Sequence, residues 1–259
     1  MPPFIPGLEL CRAFFMEAVQ PLLAADFPAL PYAAALIGPG SEVLGFDTEM
    51  SVDHDWGPRI QLFLPEAEAS AALPAIDAAL RRKLPRTFRG YPIAFDLSRP
   101  TTEGDANHRI ELTTVRDFFQ SYLGFDITRE IEPADWLTFP DQKLRTIASG
   151  AVYHDGIGLE AVCARFAYYP QDVWLYLLAA GWNRIAQEEH LMGRAGFVGD
   201  EIGSALIGAR LVRDLMRLCF LMERQYAPYP KWFGTGFSKL ACAPTLTPVF
   251  ERALAAQSW

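Results

Sequence analysis

The sequence predicts an α+β protein, a small mixed-sheet domain followed by a C-terminal helical bundle. Up to about residue 125, short apolar runs closed by turn residues alternate with helical patterns, as in a sheet covered by helices. Beyond that point apolar residues recur almost only at helical spacing. Between the two, "FDITREIEPADWLTFPDQ" reads as a connector, which divides the chain into residues 1–125 and 126–259.

Each element follows from its own pattern. Leu8, Cys11, Phe15, Val19 and Leu22 fall on one face of a helix. Pro31 introduces "YAAALIG", a short apolar run ending at Gly38 that reads as a buried strand. A second strand is expected over roughly Asp53 to Leu64. It would carry His54, Trp56, Ile60, Leu62 and Leu64 on one face, and Asp53, Asp55, Arg59 and Gln61 on the other. Leu73, Ile76, Leu80 and Leu84 mark a helix, with Pro74 as a kink or a late start. "YPIAFDL" and "HRIELTTV" are two further strands, expected to form a hairpin through the polar "SRPTTEGDAN". In the second half, Val173, Trp174, Leu177, Leu178, Gly181 and Ile185 make one helical stripe. Leu211, Leu215, Leu218 and Met222 make another, and Gly193, Gly196 and Gly199 punctuate the chain between them.

Composition narrows the function. The 259 residues are 51% hydrophobic and 21% charged, enough for a sizeable core and unlike a disordered chain. A formal net charge of −8 argues against general nucleic-acid binding, which needs basic surface. An anionic ligand must therefore be gripped locally, by a few cations or by a metal. The four cysteines, Cys11, Cys163, Cys219 and Cys242, form no C-x-x-C pair and read as free thiols. The N-terminus lacks a basic segment followed by a long apolar run, so no signal peptide is expected. The most apolar stretch, Val173 to Trp182, is too short to span a bilayer. A soluble cytoplasmic protein without membrane partners is the expectation.

One stretch carries chemistry. Asp53 and Asp55, two residues apart on the expected strand, would project from one face, and carboxylates that close repel unless a cation sits between them. Magnesium suits the arrangement, being a hard ion held by carboxylates, water and substrate phosphates. Roughly a dozen residues upstream stands Gly40-Ser41. A glycine lets backbone approach a phosphate, and turn amides with a serine hydroxyl can donate to its oxygens.

The order strand, Gly-Ser, then Asp-x-Asp resembles the signature of the DNA polymerase β-type nucleotidyltransferase superfamily, here as "GSEVLG…SVDHD". More of the chain looks like an uncharacterised bacterial branch of it, a domain-of-unknown-function family with a C-terminal helical domain. The stretches that carry this are "GFDTEMSVDHDWGPR", "ELTTVRDFF", "YYPQDVWLYLLAAGW", "GARLVRDLMRLCFLMERQYAPYPKWFGTGF" and the terminal Trp259. The resemblance implies a nucleotidyltransferase-like first domain and a helical second domain that closes on the acceptor. It also implies a third carboxylate on a later strand. Glu111, which shares a strand face with Arg109 and Thr113, is the first choice; Asp96 is the alternative.

In one respect the chain departs from that pattern. Glu42 follows the Gly-Ser where many relatives with a helical second domain have a basic residue. The helical half offers cations instead. Arg210, Arg213, Arg217 and Arg224 lie within a narrow arc of one helix, and guanidinium forks match phosphate oxygens. The alternative is a solvated face with ion pairs to Asp214 and Glu223. Lys231, in the rigid "YAPYPKWFGTGF", resembles the helical-domain lysine that reaches the triphosphate in related enzymes. Glu188, Glu189 and His190 read as a surface helix end. His54, His108 and His154 have no zinc spacing, and the aromatic run Tyr168, Tyr169, Trp174 and Tyr176 reads as bundle core.

The sequence thus points to a magnesium-dependent enzyme moving a nucleoside monophosphate, AMP from ATP, to a hydroxyl of a small or protein acceptor. Asp53, Asp55 and Glu111 would hold the metal and serve catalysis. Gly40, Ser41, Lys231, Arg213 and Arg217 would hold the nucleotide. The competing expectation is a nucleotide-sensing or interaction module that keeps the fold without the chemistry.

Overall fold

The computed structural model describes residues 2–53, 56–94, 107–256 and 258, with Asp53 described by its backbone alone. The expected α+β class is what forms: a four-stranded mixed sheet with helices, then a helical region. The chain divides into two compact units. One is Met1–Ile131 with Thr146–Ala167, and the other is Glu132–Arg145 with Tyr168–Trp259.

The first unit opens with α1 (Gly7–Phe14), a π-helical turn over Phe15–Val19, and α2 (Gln20–Asp26). The expected stripe is its buried face: Cys11, Phe15, Val19 and Leu22 all lie in the core. β1 (Ala33–Leu36) and β2 (Ile60–Leu64) are fully buried strands. The helix α3 (Glu66–Lys83) begins well before Leu73 and carries Pro74 in its interior. β3 (Thr87–Phe88) and β4 (Tyr91–Pro92) form a small separate hairpin, and β5 (Ile110–Thr114) leads directly into α4 (Val115–Leu123). The chain then passes through α5 (Pro133–Trp136) and into α6 (Asp141–Ala148). β6 (Ala151–Asp155) and α7 (Leu159–Ala164) belong to the first unit again.

The sheet order is β5-β2-β1-β6, with β1 antiparallel to both neighbours and β5 parallel to β2. On one face, Ile60, Leu62, Leu64 and Ile110 pack into the core formed with α1 to α3. On the other, Phe63 meets Phe118 of α4 edge-on at 5.5 Å.

Three expectations are corrected. The second strand starts at Ile60, not Asp53, because Gly57 has φ 137° and Pro58 has no N–H to offer a ladder. Glu49–Asp53 is instead a 3-10 turn. "HRIELTTV" is a strand, but β5 pairs in parallel with β2 across the α3 crossover rather than in a hairpin with "YPIAFDL". Of that hairpin, residues 95–106, with Asp96 and most of its loop, lie outside the described residues. The half expected to be wholly helical contains β6, so the compact units differ from the 1–125 and 126–259 division: Thr146–Ala167 groups with the sheet.

In the second unit α8 (Gln171–Phe197) and α9 (Glu201–Met222) are the long helices, followed by α10 (Phe233–Phe237) and α11 (Ala243–Ala255). Asp200 caps α9 by accepting from Gly203 N at 2.8 Å. Val212, Cys219, Phe220, Phe237, Leu240 and Phe250 form its core. Met222, expected on the inward stripe, is exposed. Among the described residues no helix is long and apolar enough to cross a membrane.

Asp155, at the end of β6, accepts backbone N–H bonds from Ile157, Gly158, Leu159 and Glu160 at 2.7–3.2 Å. Burial alone would raise its carboxyl, but these four bonds outweigh it and hold the group below the usual carboxylate value. Asp155→Ala should destabilise the protein by about 1–2 kcal/mol. Because the folded-state value is depressed, the stabilisation exists above the unfolded value and is lost as pH falls through the folded one. The difference between wild type and Asp155→Asn in urea unfolding should therefore shrink below about pH 4.

Candidate functional site

The candidate site sits at one end of the sheet. β1 runs antiparallel to β2, so the residues after Leu36 lie beside the start of β2. β5 runs parallel to β2, so its start lies there too. Register places the Gly-Ser turn, the segment before β2 and the first residues of β5 together at that end.

Gln61 fastens the first of these. It is buried, and its amide does the work of a strand neighbour. Nε2 donates to Ile37 O at 2.9 Å, and Oε1 accepts from Ile37 N at 3.0 Å. Gln61 was expected on a polar face with Asp53 and Asp55; the structure instead spends both its polar ends on Ile37, the residue after β1.

The Gly-Ser turn itself is held by an ion pair. Arg59 Nε donates to Glu42 Oε1 at 2.8 Å, and Arg59 Nη2 donates to Pro39 O. The Glu42 side chain is 4% exposed and that of Arg59 19%. Gly40, with φ 149°, lies against this pair: a Cβ there would fall 2.5 Å from Arg59 Nη2 and 2.7 Å from Glu42 Oε2. Only glycine leaves room for the guanidinium. Ser41 O accepts from Phe46 N at 2.9 Å, closing the turn that follows. Glu42, which looked like the loss of a phosphate partner, is thus the residue that brings a cation to the turn.

The segment before β2 is tethered from both sides. Trp56 Nε1 donates to Asp47 Oδ2 at 2.9 Å, and the same oxygen accepts from Gly7 N at 2.6 Å. Trp56 O accepts from both terminal nitrogens of Arg109, at 3.0 and 3.1 Å. Cys11 Sγ donates to Gly57 O at 3.4 Å, and burial pushes this thiol up to about 12. Asp55 and the side chain of Asp53 lie outside the described residues, as does His54. Trp56, the next described residue, is bonded to Arg109, two residues before Glu111.

Glu111 is an exposed carboxylate on the edge strand β5, in register with Gln61 and so projecting from the same face. It fits a hard cation by donor type. Among the described residues no group of three His, Cys, Asp or Glu side chains is placed to hold a metal ion. His108 instead bonds Ile110 N through Nδ1, and His154 packs on Tyr32 at 4.4 Å.

The helical-half candidates fall differently. Arg213 and Arg217 line one cavity of the second unit, of about 470 Å³. Lys231 is exposed and does not line it; its ammonium lies 5.0 Å from the Trp232 ring centroid. Arg224 lies beyond the end of α9, so the four arginines do not share one helix, and neither Asp214 nor Glu223 pairs with them as the alternative reading had it. Arg210 pairs with Glu188 at 2.6 Å and Arg217 with Asp141 at 2.7 Å, while Arg224 bonds Gln171 and lies 4.0 Å over Trp174. Asp214 takes Arg184, and Glu223 accepts from Ala241 N and Cys242 N. Glu188 and Glu189 do not end a helix, since α8 runs on to Phe197. Sequence reasoning placed Arg59 and Gln61 on the face of Asp53 and Asp55 but missed what each bonds, and it gave no role to Asp47 or Asp141.

The fold defines an α+β protein in which the Gly-Ser turn after β1, Trp56 before β2 and Glu111 on β5 lie at one sheet end. Residues 136–233 match a family described as "Domain of unknown function (DUF4037)". The match covers none of the Gly-Ser turn, Asp53, Asp55 or Glu111. No curated protein matches the chain.

Removing Glu42 would strand the Arg59 guanidinium against the turn. Glu42→Ala should cost about 3 kcal/mol of stability, the usual scale for breaking a well-buried pair. In a double-mutant cycle with Arg59→Ala the two losses should be clearly less than additive.

Proposed function

We propose that the protein is a magnesium-dependent nucleotidyltransferase, moving a nucleoside monophosphate, AMP from ATP, to a hydroxyl of a small or protein acceptor. The observation that carries the reading is the convergence at the sheet end. The Gly40-Ser41 turn follows β1, Trp56 precedes β2 and Glu111 lies on β5, and the pairing of these three strands supports a shared site at that sheet end.

Gly40 and Ser41 receive the phosphates, with Arg59 supplying a fixed guanidinium beside the turn. Asp53, Asp55 and Glu111 would hold magnesium, which when bound neutralises charge on the phosphates and orients them. The acceptor oxygen bonds to the α-phosphorus as the bond to the β-phosphate oxygen breaks, and pyrophosphate leaves. Glu111 takes the acceptor proton. The alternative of a sensing module drew on Glu42 in place of a cation; Arg59, held at the same turn by Glu42, favours the catalytic reading.

Thermal unfolding in magnesium with each nucleoside triphosphate tests this. A bound nucleotide at one hundred times its Kd should stabilise the native state by about 2.7 kcal/mol. Asp53→Asn, Asp55→Asn and Glu111→Gln should each remove the magnesium-dependent part. No shift with any nucleotide would sink the proposal, and a shift unchanged in all three variants would sink the metal assignment.

A further inference from the structure

The cavity of the second unit is built for a ligand of its own. It lies between α6, α9 and the segment Ala227–Phe233. Its volume, about 470 Å³, is in the range of small-molecule sites. Its walls combine apolar groups, hydrogen-bond donors and one carboxylate, Asp141. Pro228, Pro230, Ala227 and Phe233 are apolar, and the prolines fix the backbone that carries them. Arg213, Arg217, Gln142 and Tyr229 are hydrogen-bond donors.

The charge on those walls is incompletely matched. Arg217 is held by Asp141 at 2.7 Å. Arg213, exposed on α9, has no hydrogen-bond or ion-pair partner among the described residues, whereas Arg210 and Arg217 on the same helix and Arg224 just beyond its end all have one. Tyr229 is oriented by Trp232, whose Nε1 donates to its hydroxyl at 2.7 Å, which leaves the phenol proton to donate elsewhere. A second, smaller cavity shares Asp141, Arg217 and Ala227 with the first and is lined by Tyr226. Tyr226 is 4% exposed, and its hydroxyl has no hydrogen-bond partner among the described residues. A buried unpaired hydroxyl costs free energy that a polar ligand or water would recover. The larger cavity thus carries two guanidinium groups against one carboxylate, Asp141, which is already paired with Arg217, and has an apolar side. All of the residues lining the larger cavity fall within residues 136–233, the segment that matches the family.

We propose that this cavity binds a small organic anion, its phosphate or carboxylate on Arg213 and Arg217 and its ring or apolar body against Pro228, Pro230 and Phe233. The site does not depend on the nucleotidyltransferase reading, since every residue it uses lies in the second unit.

Calorimetric titration of the full chain, without magnesium or nucleotide, tests the proposal with phenyl phosphate, benzoate, inorganic phosphate and benzyl alcohol. At least one of the two aromatic anions should bind about tenfold or more tighter than inorganic phosphate and than benzyl alcohol, because each of those offers only half of the recognition. The tighter of phenyl phosphate and benzoate identifies the anionic group. Arg213→Ala should weaken that probe about tenfold, the scale of one charge-assisted hydrogen bond, and Arg213→Gln should do the same. Phe233→Ala should weaken the aromatic anions and leave inorganic phosphate unchanged. Arg252→Ala, which removes an exposed cation from α11, should change nothing. Absence of binding by both aromatic anions overturns the proposal. So does wild-type affinity in both Arg213 variants, or equal weakening in Arg252→Ala.

Discussion

The Gln61 amide is the contact on which the rest of the sheet end depends. By bonding both the N–H and the carbonyl of Ile37, it continues the β1–β2 pairing past the point where the backbone ladder stops. Everything downstream is hung from that clamp. Ile37 leads into the Gly-Ser turn, Arg59 precedes Gln61 by two residues and pairs with Glu42, and Glu111 stands opposite Gln61 in register. A buried amide with both ends satisfied costs little and specifies one geometry. With either end unsatisfied it would penalise the fold.

Order at this end is supplied by charge kept inside rather than displayed. Glu42 and Arg59 are removed from water together and bridge two strands of chain around a turn too tight for any Cβ at residue 40. Such a pair adds little net stability over apolar packing, but it fixes positions firmly. The edge strand contributes the opposite kind of charge, a carboxylate left in solvent at Glu111. The contrast separates residues that build the turn from one that faces whatever binds there.

Much of this was legible in the chain, and the rest has physical reasons for being hidden. Periodicity found the faces of the helices and the strands at Ala33–Leu36 and Ile110–Thr114, because burial imposes period directly. Alternation carried the second strand too far, since a Gly-Pro pair at 57–58 ends a ladder without disturbing the apolar count. Pattern also names strands without naming partners, so β5 was given a hairpin mate when its neighbour was β2. Gly40 and Ser41 were found by motif, but the role of Glu42 was not, because its partner stands seventeen residues away. Spacing placed Arg210, Arg213 and Arg217 on one helix but carried it too far, since α9 ends before Arg224, and it hid the partners: Asp141 and Arg217 are 76 residues apart in the chain.

The return of the chain to the sheet has a consequence for how the protein is made. β1 is an interior strand only because β6 covers its second edge, with Ala33 opposite Asp155. On a ribosome, β1 and β2 emerge early, while the strand that shields β1 follows roughly a hundred residues later, at several residues per second. For that interval the edge of β1 that β6 covers in the fold would present unpaired backbone N–H and C=O groups flanked by apolar side chains, able to template pairing with another chain. Translation speed across the connector therefore sets how long the sheet stays adhesive, and a slow stretch of codons there would be paid for in aggregation.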